Sequence, residues 1–247
     1  MDRKEPQVAK VGKRYAAVRA LVDPTIRYGI EDALALLPQT AKAKFDESVD
    51  LAVRLGVNPR QADHMVRGAV SLPHGVGKAV RVAVFAEGEA AQAAREAGAD
   101  FVGSDDLIEK IDKEGWVDFD KAISVRNLMA KVGRLGRVLG PRGLMPNPKS
   151  GTVVGPEEIA RVVKEVKGGR VDFRIEKAGI VHASVGKASM TSEQLRENVI
   201  SLIQTLVRLK PATAKGTYLR GVTLSTTQGP GIRLDANEML RLATELR

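Results

Sequence analysis

The chain offers little with which to make or break bonds. Its three histidines, His64, His74 and His182, are widely separated and lack metal-ligand spacing. Neither a Gly-x-Ser-x-Gly elbow nor a His-Glu-x-x-His helix occurs. Cysteine is absent, which removes thiolate nucleophiles, zinc-thiolate sites and disulfides together. No catalytic residue, metal or cofactor is expected.

Three glycine-bearing stretches could instead meet an anion. His74-Gly75-Val76-Gly77-Lys78 ends in Gly-Lys, but Leu72 stands where a phosphate-cradling loop needs its first glycine and Ala79 where it needs Ser or Thr. It also leads into a strand, not a helix. Gly133 to Gly143 lacks dinucleotide-fingerprint spacing; its glycines predict a compact loop presenting Arg134, Arg137, Arg142 and backbone N–H groups to an anion. Ser225-Thr226-Thr227-Gln228-Gly229-Pro230-Gly231 carries hydroxyls and an amide suited to sugar hydroxyls or phosphates, and reads equally well as a polar turn.

The elements that would position these residues follow from apolar periodicity. Val49, Leu51, Val53 and Leu55 alternate with polar or small residues, as do Val66 to Leu72, Val171 to Ile175, and Val222 to Leu224. Such half-dry strands predict an open, mostly antiparallel sheet covered on one side. Val82 to Phe85 is an unbroken apolar run, followed by an Ala-rich helix (88–97), a short strand at Phe101–Val102, a helix beginning at Ser104 with Ser104-Asp105-Asp106 as its cap, and a strand near 122–125. That alternation predicts a small doubly wound parallel-sheet domain. Helices are also expected over 8–22, 30–41, from a Thr191 cap to Pro211, and from Asp235. The flanks share one pattern and the middle another, so residues 1–75 and 169–247 are read as one domain with 76–168 inserted. Gly75, Gly77, Gly168 and Gly169 mark the two crossings as a hinge.

Charge points to the partner. The 247 residues carry 39 Lys plus Arg against 30 Asp plus Glu, a net +9, with only 4% aromatics. This favours a polyanion bound through backbone and shape over a base-stacking single-strand binder. Residues 87–120 hold 11 acids and 3 bases, whereas 121–156 hold 7 bases and no acid, and 198–234 is also acid-free. No apolar run reaches the ~18 residues of a membrane span, and the basic N-terminus lacks an apolar stretch behind it, so a cytoplasmic protein without a membrane partner is expected.

Several blocks together resemble the ribosomal protein L-one family: Lys44-Phe45-Asp46-Glu47-Ser48-Val49-Asp50, Leu72-Pro73-His74-Gly75, Arg81 to Phe85, Ala97-Gly98-Ala99-Asp100, Leu135 to Lys149, and Lys215-Gly216-Thr217-Tyr218. They run in order from about Lys13 to Gly231. The long Leu139-Gly140-Pro141-Arg142-Gly143-Leu144-Met145-Pro146-Asn147-Pro148-Lys149 block is the most specific and points to the bacterial or organellar branch.

The resemblance implies an α/β protein of two domains, a split α+β domain with a mostly antiparallel sheet and an inserted Rossmann-like three-layer α/β domain. It implies a non-enzymatic component of the large ribosomal subunit that binds large-subunit rRNA and forms the mobile stalk beside the tRNA exit site. Exit-site tRNA and the protein's own operon mRNA, which it would repress, are further implied partners. By motif, the RNA contacts fall on Lys44, Phe45, Ser48, Glu176, Lys177, Thr226, Thr227, Gln228 and Gly229, with Arg134, Arg137, Arg142 and Lys149 as a secondary basic surface. Phe45 reads equally as a core residue. Gln228 stands where the family usually has Met, Ile175-Glu176-Lys177 replaces Asn-Asp-Lys, and Val125-Arg126-Asn127 replaces Thr-Pro-Asp or Ser-Pro-Asp. A nucleotide-binding enzyme built on the doubly wound domain and a DNA-binding regulator are the competing readings.

Overall fold

The computed structural model describes residues 11–245, apart from the side chains of Ala62 and Lys149. The chain opens with α1 (Lys13–Arg19) and α2 (Ile30–Thr40), then β1 (Ser48–Leu55) and β2 (Arg67–Ser71). An alternating segment follows: β3 (Val82–Phe85), α3 (Gly88–Glu96), β4 (Phe101–Gly103), α4 (Asp105–Glu114), β5 (Lys121–Val125), α5 (Met129–Val132), α6 (Gly136–Leu139), β6 (Val153–Val154) and α7 (Ile159–Lys167). The chain then returns through β7 (Arg170–Arg174), β8 (Ile180–Lys187), α8 (Ser192–Arg208), β9 (Leu219–Thr226), β10 (Ile232–Leu234) and α9 (Ala236–Glu245). Residues 8–10 of the expected first helix lie outside the described residues.

The flanks build an antiparallel sheet of order β10-β9-β1-β8 and a separate antiparallel pair, β2-β7. The single sheet expected from periodicity is thus two pieces. The inward side chains Val49, Leu51, Val53 and Leu55 of β1 are at most 2% exposed. They share one core with Leu34 and Leu37 of α2, Val199 and Ile203 of α8, and Met239 of α9. Helices therefore cover one face only. On the other face Asp50, Ala52, Arg54, His182, Ser184, Thr223, Ser225 and Arg233 all reach solvent. The final helix packs on the covered side, where Met239 and Ala243 are buried, and leaves the open face clear.

The middle segment is a parallel sheet of order β4-β3-β5-β6. Val82 and Val84 point into one core with α3 and α7, while Ala83 and Phe85 point into another with Leu107, Ile111, Leu135 and Leu139. A strand buried on both faces needs apolar residues at every position, which is why this run does not alternate. The protein is a mixed α/β fold with an antiparallel and a parallel three-layer part.

Local chemistry sets the boundaries, with two departures from expectation. Thr191 Oγ1 accepts from Gln194 N while Gln194 Oε1 accepts from Thr191 N, the reciprocal cap expected for α8. Ser104 precedes α4, but its hydroxyl donates to Glu87 and it does not cap the helix; Asp106 Oδ1 instead accepts from Ser104 N at 2.8 Å. The second departure is larger. Residues 126–139 form successive helical turns, not a loop, because Leu128, Val132, Leu135 and Leu139 bury one stripe against the parallel sheet. Their backbone N–H groups are engaged within those turns and form no anion cradle.

The two crossings between the sheets touch. A Cβ on Gly169 would lie 2.3 Å from Gly75 Cα, and Gly75, Gly77 and Gly169 have φ of 65°, 70° and 98°, conformations only glycine adopts easily. Gly168, at φ −70°, is an ordinary helical C-cap. Fully buried Asn198 pins the outgoing crossing, accepting from His74 N at 3.1 Å and donating to the Gly75 and Val185 carbonyls at 2.9 and 2.8 Å.

Candidate nucleic-acid interface

Four segments meet where β1 begins. Antiparallel pairing of β1 with β9 sets Val49 opposite Thr226, so the turn linking β9 to β10 lies beside Glu47 and Ser48. Pairing with β8 brings Lys187 opposite Ser48. The turn closes through Gly229 N donating to the Thr226 carbonyl, and a Cβ on Gly229 would strike Thr226 Oγ1 at 2.3 Å. Glycine is required there by space.

Glu47 holds this end together. It is 1% exposed, and its two carboxylate oxygens accept from Ala43 N and Gln228 N, both at 2.8 Å. Burial pushes its pKa up, but the Gln228 and Ala43 N–H groups and the Arg14 charge outweigh that and hold it below the ordinary glutamate value. One buried carboxylate thus ties the approach to β1 to the late turn. Arg14 of α1 donates to Gln228 Oε1, so this amide is engaged within the protein.

The hydroxyls are held but not exhausted. Thr227 Oγ1 accepts from Ser48 N at 2.9 Å and donates to the Ser48 carbonyl at 3.3 Å, which leaves one lone pair. Ser48 Oγ accepts from Lys187 Nζ at 3.0 Å and keeps its proton to donate. Lys44 is exposed, and Phe45 at 53% exposure is not the core residue it resembled. This end presents a cation, an aromatic ring and two oriented hydroxyls.

Two expectations change. Thr226 is 3% exposed and points inward in phase with Val222 and Leu224, so it supports the turn and does not face a ligand. Glu176 and Lys177 occupy the β7–β8 turn, at the other end of β1: Leu55 N donates to the Gly179 carbonyl, and Arg54 pairs with Ile180. Seven residue steps along β1 separate the ends by about 23 Å. The sequence-predicted contacts therefore fall into two groups at opposite ends of one open sheet face. Lys177 is exposed, and Glu176 lies 3.9 Å from His182 Nε2.

The basic surface of the middle segment is partly neutralised. Lys131 pairs with Asp105 at 2.8 Å and Lys121 with Asp172, whereas Arg134, Arg137 and Arg142 are exposed without an ion pair among the described residues. Lys149's side chain lies outside the described ones. Among the described residues no cluster of His, Asp and Glu could hold a metal, and no helix is long and apolar enough to cross a membrane.

Sequence reasoning missed Glu47, Lys187 and Arg14. Glu47 was detectable, because it shares the odd-numbered phase of buried Val49, Leu51, Val53 and Leu55. The roles of Lys187 and Arg14 depend on long-range pairing and left no local signal.

Residues 37–230 match the model of the Ribosomal protein L1p/L10e family. The chain belongs to that family. It is 56% identical over 228 residues to a protein of Syntrophobacter fumaroxidans named large ribosomal subunit protein uL1, covering 92% of this chain and 96% of that protein. Proteins of the same name from Chloroflexus aggregans and Chloroflexus aurantiacus are each 55% identical over 226 residues, covering 92% of this chain and 95% of theirs. The family match covers β1 to β9, and so both ends of β1, and stops short of β10.

Proposed function

We propose that this protein is a non-enzymatic component of the large ribosomal subunit in the cytoplasm, and that it binds large-subunit rRNA across the open face of its antiparallel sheet. The first part rests on family membership and on the names its relatives carry. The second rests chiefly on one observation: a sheet face with no helix over it, flanked at one end by hydroxyls held in place through a buried carboxylate. Oriented hydroxyls suit the ribose 2′-OH, which separates RNA from DNA, and lysines suit phosphates. Residues 1–75 and 169–247 form the RNA-binding domain on this reading, and 76–168 the inserted one.

The stalk beside the tRNA exit site, contact with exit-site tRNA through Arg134, Arg137 and Arg142, and repression through the protein's own operon mRNA complete the reading. Unpaired arginines on the middle segment support the tRNA surface, and adjacent glycine crossings support relative motion of the domains. Footprinting and filter binding of the full chain on large-subunit rRNA test the proposal. If four to six phosphates are neutralised, the log–log salt slope is roughly −3 to −5. Equal affinity for duplex DNA of matched charge would contradict it.

A further inference from the structure

The half of the open face remote from Thr227 carries a feature that no motif announced. Arg54 of β1, Arg220 of β9, Arg233 of β10 and Arg27, in the segment leading to α2, line one cleft of the sheet. Each comes from a different segment, and the fold brings them together. Tyr28 N donates to the Arg233 carbonyl at 2.8 Å, which sets Arg27 beside the β10 edge. Arg54 pairs with Gly221 and Leu55 with Leu219, so Arg220 is the extra residue of a β-bulge. A bulge breaks strict alternation and re-aims a side chain, and here it adds Arg220 to the face that carries Arg54 and Thr223. Gly221, opposite Arg54, leaves open space: nothing lies within 4 Å of where its Cβ would be.

The charges are uncompensated. No carboxylate lines the cleft, and among the described residues none of the four arginines makes an ion pair. The acids Glu238 and Asp32 flank Gly29 and are not among the residues lining the cleft. Guanidinium groups converging on one cleft repel one another, and an anion placed between them removes that cost. Their planar donor forks match phosphate oxygens in a two-point geometry that lysine cannot copy.

We infer that the Arg27–Arg54–Arg220–Arg233 cleft is a phosphate-binding site that grips the sugar–phosphate backbone of the bound RNA, about one strand length from the hydroxyl end. This rests on the RNA-binding reading above and extends it to a second, electrostatic anchor. The cleft supplies register and salt-dependent affinity, while the Thr227 end supplies the RNA-specific hydrogen bonds.

The test uses the full chain and a large-subunit rRNA fragment, with affinity measured by filter binding across a salt series. All four arginines are exposed, so glutamine variants keep the wild-type urea midpoint. Arg54→Gln with Arg233→Gln, and separately Arg27→Gln with Arg220→Gln, reduce the magnitude of the log–log salt slope by about 2 each. Both weaken binding by about tenfold or more near physiological salt. Arg54→Lys with Arg233→Lys keeps the slope and loses part of the affinity. If wild type binds with a steep slope and Thr227→Ala weakens it, but both glutamine pairs leave the slope unchanged, the cleft assignment is wrong and the RNA reading survives. If wild type binds the fragment without salt dependence, both fall.

Discussion

The two ends of β1 solve different parts of one recognition problem. At the Ser48 end nearly every polar group has a protein partner: Glu47 takes two backbone N–H groups, Thr227 and Ser48 hold each other, and Lys187 reaches the Ser48 hydroxyl. At the Arg54 end the four arginines make no ion pair among the described residues, and the bulge turns one of them outward. The first end is preorganised, so ligand atoms meet groups already fixed in place. The second is a concentration of charge whose contribution depends on counterions. Position-specific contact and salt-dependent grip are thus separated by the length of a strand, which makes them separable by mutation.

The largest effect should come from removing the carboxylate that assembles the first end. Glu47→Ala leaves two part-buried N–H groups without their acceptor and opens a cavity at a buried side chain, costing about 2–4 kcal/mol of stability. Urea denaturation measures this, and a cost under about 0.5 kcal/mol would mean that the turn holds without Glu47. The same residue gives a pH signature. Its pKa is lowered in the folded state, so its contribution is fully present above the unfolded value of about 4.3 and is lost as pH falls through the folded value. As pH falls below about 4.3, the stability of wild type relative to Glu47→Gln should decline; a difference between the two that does not change on acidification would contradict the assignment.

Next in size is Thr227→Ala, which should weaken rRNA binding by about 1–3 kcal/mol at constant salt slope, a parallel displacement of the salt line. A tilt would mean that the two ends do not divide the work as described. Lys177→Ala should do the reverse, reducing the slope by about 1 with a smaller loss of affinity near 0.1 M salt. The smallest effect concerns the crossings. Lys121→Ala removes a partly exposed pair with Asp172 that links the parallel sheet to the β2-β7 pair, worth about 1 kcal/mol or less. Fluorophores on the two sheets should then show a wider spread of separations in free protein, while rRNA affinity changes less than twofold.

Much of this fold was legible because burial writes itself into period. The alternation at 49–55 marked a one-sided sheet and the unbroken run at 82–85 marked a two-sided one. The hydroxyl end was legible through the family resemblance at Lys44 to Ser48 and Thr227 to Gly229; composition alone marked Ser225 to Gly231 and left it equally a polar turn. What escaped was nonlocal or masked by composition. Glycines at 133, 136 and 140 disguised a helical segment whose leucine stripe is the stronger signal. Nothing local places Glu176 and Lys177 at one end of β1 or the other; which end the β7–β8 turn reaches is set by the antiparallel register with β8. The arginine cleft needs a bulge at Arg220 and the parallel bridge from Tyr28 to Leu234, neither of which has a sequence signature.

The absence of cysteine makes the central claim directly measurable. A single cysteine introduced at Thr223, in the middle of the open face, can carry a short photo-crosslinker, with Arg208→Cys at the exposed end of α8 as the comparison on the helix-covered side. In complex with large-subunit rRNA, the probe at position 223 should crosslink to RNA and the probe at 208 should not. Crosslinking from 208 with none from 223 would move the RNA to the opposite side of the sheet.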